Sequence, residues 1–268
     1  MANGSGKSLG RAGGVVAFFA GLALAVTFVA AGFMACLAPP ATSLMARMFV
    51  DDATSPFNRD QLVSVAEATR DYSFGSHDLG ALYQTIYDVD RAYADSLTAQ
   101  GATLPAGFPA LVALSRSGDV AQLKASFAGA SEMYAYSPDT ISHLDDCYHL
   151  ATRAKVVLAV VAVLALAGCI FVGVKGGKRR LGTLFMASGI ALVVAFAALG
   201  VWAFVDFNAL FTTFHSLFFK AGSWTFPYDS LLICALPTAF WIGMAVIWLV
   251  VSMLVSIIFV VIGVKVRK

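Results

Sequence analysis

Four stretches of the chain, residues 15–37, 156–174, 181–205 and 240–264, are apolar over their whole length and contain no charged side chain. A helix that crosses a bilayer needs about 20 such residues, so each reads as a membrane span. The long polar region after the first span has a different rhythm. Pro39-Pro40 ends the first helix, and Asn58-Arg59-Asp60-Gln61 opens an amphipathic stretch to Thr69 with Leu62, Val65 and Ala66 on one face. Residues 79–97 give a second, with Leu82, Ile86, Val89 and Tyr93 at helical spacing. Residues 103–109, with Pro105, Gly107 and Pro109, read as a loop, and residues 108–114 and 120–127 as weaker helices. Ser137-Pro138-Asp139-Thr140 is a helix start with Pro in the first turn and Asp139 or Thr140 as cap, and its helix runs on into the second span. Residues 206–220 read as one more helix before the fourth span.

The pattern predicts an all-α membrane protein, four transmembrane helices with a mostly helical extracellular cap inserted between helices 1 and 2. Its segments are a cytoplasmic tail (1–12), the first span (13–37), the cap (38–141), an interfacial helix with the second span (142–174) and a basic turn (175–180). The third span (181–206), an outer aromatic interfacial segment (207–239), the fourth span (240–264) and a second tail (265–268) follow. Composition agrees: of 268 residues 59% are hydrophobic and only 13% charged, with a mean hydropathy of +0.79. An ordinary soluble domain is excluded.

Charge then orients the chain, because Lys and Arg in short connections stay on the cytoplasmic side. Lys7 and Arg11 precede span one, Lys175, Lys178, Arg179 and Arg180 lie between spans two and three, and Lys265, Arg267 and Lys268 end the chain. Both termini are therefore expected inside. Residues 51–146 hold fourteen of the sixteen acidic residues, outside. Arg153 and Lys155, just outside span two, can snorkel to headgroups. The net +2 hides this asymmetry and gives no sign of nucleic acid. Span one resembles a signal peptide, and Phe33-Met34-Ala35-Cys36 loosely imitates a lipoprotein cleavage box, but its apolar run is too long for a signal core. No span carries a charge of the kind that marks a transport pathway.

All four histidines fall on the outer side. His143 shares a helical face with Asp146, Leu150 and Arg153 above span two, and His215 lies a similar distance beyond span three, in a stripe with Asn208, Phe211, Thr212 and Phe219. The connection between spans two and three permits only antiparallel neighbours, so both imidazoles reach a similar depth. A pair of groups that take and return protons near neutral pH suits acid and base work on an acyl group. A single interfacial His more often hydrogen-bonds headgroups or backbone; two at one depth weaken that reading. His143, His215 and Asp146 could supply three zinc ligands, but no ligand-spaced cluster supports them and no metal is expected. His77 and His149 read as incidental. Cys147 and Cys234 could form a disulfide, though small buried hydrophobes are the simpler expectation. An interfacial belt accounts for Trp202, Trp224 and Tyr228, yet Phe207, Phe214 and Phe218 beside the His215 stripe point to an apolar pocket. No nucleophile elbow, HExxH or phosphate loop is present.

Residues 207–241, FNALFTTFHSLFFKAGSWTFPYDSLLICALPTAFW, resemble the hallmark segment of the bacterial four-span membrane proteins that include the lipoprotein intramolecular transacylase, Lit. Ser142-His143-Leu144-Asp145-Asp146 resembles that family's second motif, His followed by Asp at the outer end of span two. The chain departs from the family after Asp146, with Cys147, Tyr148 and Ala151 where Val, Lys and Phe are usual; the cap agrees only in length and character. The resemblance implies a bacterial cell-membrane acyltransferase without cofactor, acting on diacylglyceryl-modified lipoproteins. It would move the sn-2 acyl chain to the α-amine of the N-terminal cysteine and leave the lyso-form lipoprotein. His143 and His215 would be catalytic, one as base and the other as acid. Asp146 and Asn208 would support them, and Phe211, Phe214, Phe218, Phe219 and Trp224 would wall the substrate pocket. Substrate lipoproteins and membrane lipids are the implied partners. The alternative is a non-catalytic membrane scaffold or sensor whose cap binds an envelope partner.

Overall fold

The structure is a computed structural model that describes residues 9–268; Lys7, one of the orienting charges, lies outside them. Every regular element among the described residues is helical. In order they are α1 (Arg11–Leu37), α2 (Pro39–Phe49), α3 (Arg59–Phe74), α4 (Leu79–Ala99), α5 (Val120–Ser126), α6 (Pro138–Gly176), α7 (Lys178–Val205), α8 (Phe207–Phe218), α9 (Leu231–Ala235) and α10 (Thr238–Arg267). Helices α1, α6, α7 and α10 are long and apolar enough to cross a membrane. This is the expected fold class, a multi-pass membrane protein with four spans.

One compact unit takes in the chain up to Cys36, Arg153–Phe211 and Ala245–Lys268. Its core is built from Leu24, Phe28, Val172, Leu184, Leu192 and Phe196, with Phe259 4.8 Å from Phe28. Apolar side chains do not distinguish a neighbouring helix from lipid, so close backbone approach and hydrogen bonds must hold membrane helices together. Both occur here. Ser188 Oγ donates to the Gly21 carbonyl at 2.9 Å and Trp248 Nε1 to the Val29 carbonyl at 2.9 Å. A side chain on Gly32 would strike Ser252 and the Trp248 backbone, and one on Gly189 would lie 2.6 Å from Val260 and 2.8 Å from the Ser256 carbonyl. The basic turn expected at 175–180 is tighter than that. Only Gly177, at φ +79°, separates α6 from α7, and the charged residues sit in the helix ends.

The other unit comprises Leu37–Thr152 and Thr212–Met244. Asn58 caps α3 in a full capping box with Gln61, and Asp78 caps α4. Their expected inward faces are buried: Leu62, Val65, Leu82 and Ile86 are all 1% exposed or less. Thr69 and Tyr136 share a 2.7 Å hydrogen bond. Residues 108–114 are not the expected weak helix but an irregular segment. Side chains pin its backbone instead, since Tyr87 donates to the Val112 carbonyl and Ser126 accepts from the Val112 amide, while Pro109 lacks an amide hydrogen for a helical ladder.

Asp90 of α4 is fully buried, and neither carboxylate oxygen has a hydrogen-bond partner among the described residues. Burial pushes its carboxyl up to about 8. Unfolded, it ionises near pH 3.9, so between these values the folded chain holds a proton that the unfolded chain has lost, and stability falls as pH rises. Asp90→Asn is therefore expected to gain stability relative to the wild type as pH rises from about 4 to about 8, read as the difference in thermal midpoint. An unchanged difference across that range would refute the unpaired carboxyl. In the membrane unit, Gly32→Leu is expected to cost about 1–3 kcal/mol by overpacking. Gly200→Ala, whose new methyl would meet only Leu249 at 3.6 Å, should be tolerated in the same detergent-unfolding assay.

Candidate active site

Two helix starts fix the site. Pro138 opens α6 as expected, but the cap is Ser137, whose Oγ accepts from the Thr140 amide at 3.3 Å. The helix then runs unbroken for 39 residues, so the positions of the polar side chains on residues 143–149 are set by helical rotation alone. Helix α8 is capped by Asp206, which accepts from the Ala209 amide at 2.9 Å. It carries His215 in its last turn.

These helices bring His143 and His215 together, with ring centroids 6.5 Å apart and planes 31° from parallel. His143 is only 9% exposed. Phe219 meets its ring edge-on at 4.9 Å, and Phe226 lies at 5.6 Å. His215 is half-buried, 4.9 Å from Trp224 and 5.6 Å from both Phe214 and Phe219. Of the five expected pocket residues, Phe219, Trp224 and Phe214 thus touch the histidines. Phe218 is half exposed and packs on Phe214 at 5.0 Å, Phe211 pairs with Phe207 at 6.0 Å, and Asn208 is exposed on the first turn of α8. Asp146 is exposed, yet its charge acts on the His143 ring.

Two residues of the site were not legible as such. Phe226 sits in a segment without helical periodicity, so spacing gave no sign of its side. Cys147 is no mere filler: its Sγ lies 3.6 Å from His143 Nε2. All four cysteines are free, and the conceivable Cys147–Cys234 disulfide is not formed. No group of three or more metal-binding side chains occurs among the described residues.

His77 is a second correction, because it is not incidental. Its backbone takes a left-handed φ of +58°, uncommon for a residue other than glycine. Its ring lies between Tyr72, at 4.4 Å, and Tyr148 of α6, at 3.8 Å, and its Nε2 is 3.6 Å from Asp145. Tyr72 also donates to Asp145 at 2.5 Å. The clasp therefore grips α6 beside the His143 position. A groove of about 670 Å³ between α3 and α4 is unsuited to an acyl chain, since Asp60, Glu67, Asp71 and Asp88 line it.

Burial sets the electrostatics. Desolvation holds the His143 ring down to about 4, and His215 adds to the effect while Asp146 opposes it. Burial likewise pushes the Cys147 thiol up to about 12, assisted by Asp146. His143 is therefore neutral near physiological pH and Cys147 is a thiol. Because unfolded His titrates near 6.5, the unfolded chain binds a proton between pH 6.5 and about 4 that the folded chain refuses, and stability falls as pH drops through that window. His143→Gln is expected to gain thermal stability relative to the wild type as pH is lowered from about 7 to about 4; a difference that stays constant would show that the ring is not buried as described.

Residues 119–241 match the family described as lipoprotein intramolecular transacylase Lit. Both motifs that carry the resemblance lie within the matched region. No curated protein matches the chain. Among solved structures, the in meso structure of the membrane-integral lipoprotein intramolecular transacylase Lit from Bacillus cereus is similar, with a TM-score of 0.61 over 96% of this chain and 97% of that one. At 14% identity that likeness speaks for the fold alone. The family resemblance is borne out, and with it the expectation of an acyltransferase.

Proposed function

We propose that this chain, a membrane acyltransferase of the Lit type, moves the sn-2 acyl chain of a diacylglyceryl-modified lipoprotein onto the α-amine of the same molecule's N-terminal cysteine. The observation that carries the reading is the histidine pair itself, two rings 6.5 Å apart in an aromatic enclosure inside the region that matches the family. The distribution of Lys and Arg supports an orientation with both termini cytoplasmic and the site outside. Lipoprotein substrates on the outer leaflet then meet it directly.

The chemistry requires three things. An α-ammonium, with a pKa of about 8, must lose a proton before its nitrogen can attack the ester carbonyl. The resulting oxyanion needs a donor, and the glyceryl oxygen must gain a proton as its bond to the acyl carbon breaks. From ammonium to amide the nitrogen gives up two protons, one to solvent and one that ends on the glyceryl oxygen, so no co-reactant is consumed. Imidazoles can carry both transfers. Attack within one molecule closes a medium-sized ring through the cysteine and glyceryl atoms, which a free chain seldom does. Phe219, Phe226 and Trp224 offer walls that hold a bent conformer, and holding the reacting atoms close supplies much of the rate.

Expressed in a host without late lipoprotein acylation enzymes, the wild-type protein is expected to convert diacyl to lyso-form lipoprotein, read by mass spectrometry of N-terminal lipopeptides. His143→Ala and His215→Ala should each lower conversion by at least about a hundredfold. Retained conversion in both variants would end the catalytic reading. Folded variants alongside a wild type that never yields product would favour a scaffold.

A further inference from the structure

Cys147 follows His143 by one helical turn on α6, and its Sγ lies 3.6 Å from the His143 Nε2. The other ring nitrogen, Nδ1, is buried and has no hydrogen-bond partner among the described residues. The two nitrogens of a neutral imidazole are not equivalent, since one donates and the other accepts. A thiol sulfur is a poor acceptor, whereas an unprotonated imidazole nitrogen is a good one, so the S–H donates to Nε2. The ring proton is then on Nδ1. That leaves a buried N–H directed at no protein acceptor, which is costly unless a ligand atom is to meet it.

We infer that Cys147 is a positioning residue: it holds His143 in the Nδ1–H tautomer, so that this nitrogen donates to the ester carbonyl oxygen of bound substrate while His215 handles the proton. The inference rests on the acyl-transfer reading and divides the work between the two rings. In atoms, the α-ammonium first gives one proton to water, the freed amine forms the N–C bond while the negative charge gathers on the carbonyl oxygen facing His143 Nδ1, and His215 takes a second proton from the attacking nitrogen. The C–O bond to glycerol then breaks, and His215 returns its proton to the departing oxygen. His143 gains and loses nothing.

Burial supports this division. A ring held down to about 4 is a poor proton carrier near neutral pH but a sound neutral donor, and a neutral imidazole facing a developing oxyanion is a known catalytic device. Asp146, His215 and Cys147 are the titratable groups acting on the pair, and none reverses the effect of burial. His215 is half-buried and lies against Trp224 at 4.9 Å, where an aromatic face favours the cation that a base becomes.

The test reads the tautomer directly. Full-length protein labelled with ¹⁵N-histidine, in lipid nanodiscs near pH 7, should show His143 protonated on Nδ1 and bare on Nε2, the signal being identified by its loss in His143→Gln. Cys147→Ala should mix the tautomers and lower kcat for lyso-lipoprotein formation about tenfold, with KM changed less than about twofold. Cys147→Ser, whose hydroxyl can still donate to Nε2, should recover most of both. A wild-type His143 that is protonated on Nε2 or doubly protonated overturns the inference, and so does a Cys147→Ala protein with unchanged kcat. A wild-type protein that shows the Nδ1–H signal but never forms lyso-lipoprotein overturns the acyl-transfer reading, and with it the division of roles, while leaving the thiol–imidazole pairing standing.

Discussion

The unbroken hydrogen-bond ladder of α6 is the constraint on which the site depends. A helix turns about 100° per residue, so seven consecutive residues encircle it almost twice, and each side chain is committed to its direction once the helix starts at Pro138. His143 and Cys147 are one turn apart and meet. Asp145 and Tyr148 look elsewhere, and both meet His77. One rigid rod thus presents a histidine to the aromatic enclosure and offers its neighbours to a clasp from the loop between α3 and α4. A break in the ladder within these residues would move both sets, whereas loss of a single contact would move neither histidine far.

How much of this could be read in advance follows from which signals are local. The four spans were legible because the membrane imposes a length and a composition that few other structures share. Helices α3 and α4 were legible because caps and apolar spacing agree there. The pairing of His143 with His215 followed from two helices joined by a tight turn, which fixes depth without any knowledge of side chains. Residues 108–114 misled because their apolar character comes from packing, with Tyr87 and Ser126 taking up the backbone that a helix would otherwise satisfy.

His77, Cys147 and Phe226 were hidden for a different reason. Each acquires its role from a partner distant in sequence or from the protonation state of a neighbour. His77 sits among glycine and serine residues, as an ordinary loop residue would, and only the stack between Tyr72 and Tyr148 sets it apart. A left-handed backbone at a non-glycine residue is costly, and the ring contacts with Asp145 help to offset that cost. Cys147 occupies a position where a small apolar residue would pack as well. In the proposed reaction its sulfur matters because it fixes which nitrogen of the adjacent ring carries the proton.

The same apolar surroundings that an acyl chain requires also decide what the histidines can do. Phe219 and Phe226 exclude water from His143, which makes its charged form expensive and its neutral form the stable one. In a more polar pocket the ring would titrate near its ordinary value and alternate between forms, and the two histidines would be interchangeable. Low dielectric removes that symmetry. It also strengthens any hydrogen bond the neutral ring donates, which suits the more buried histidine to the electrostatic role that we propose for it. The enclosure therefore makes two identical side chains unequal, and in the proposed reaction Cys147 adds the choice of tautomer that burial alone leaves open.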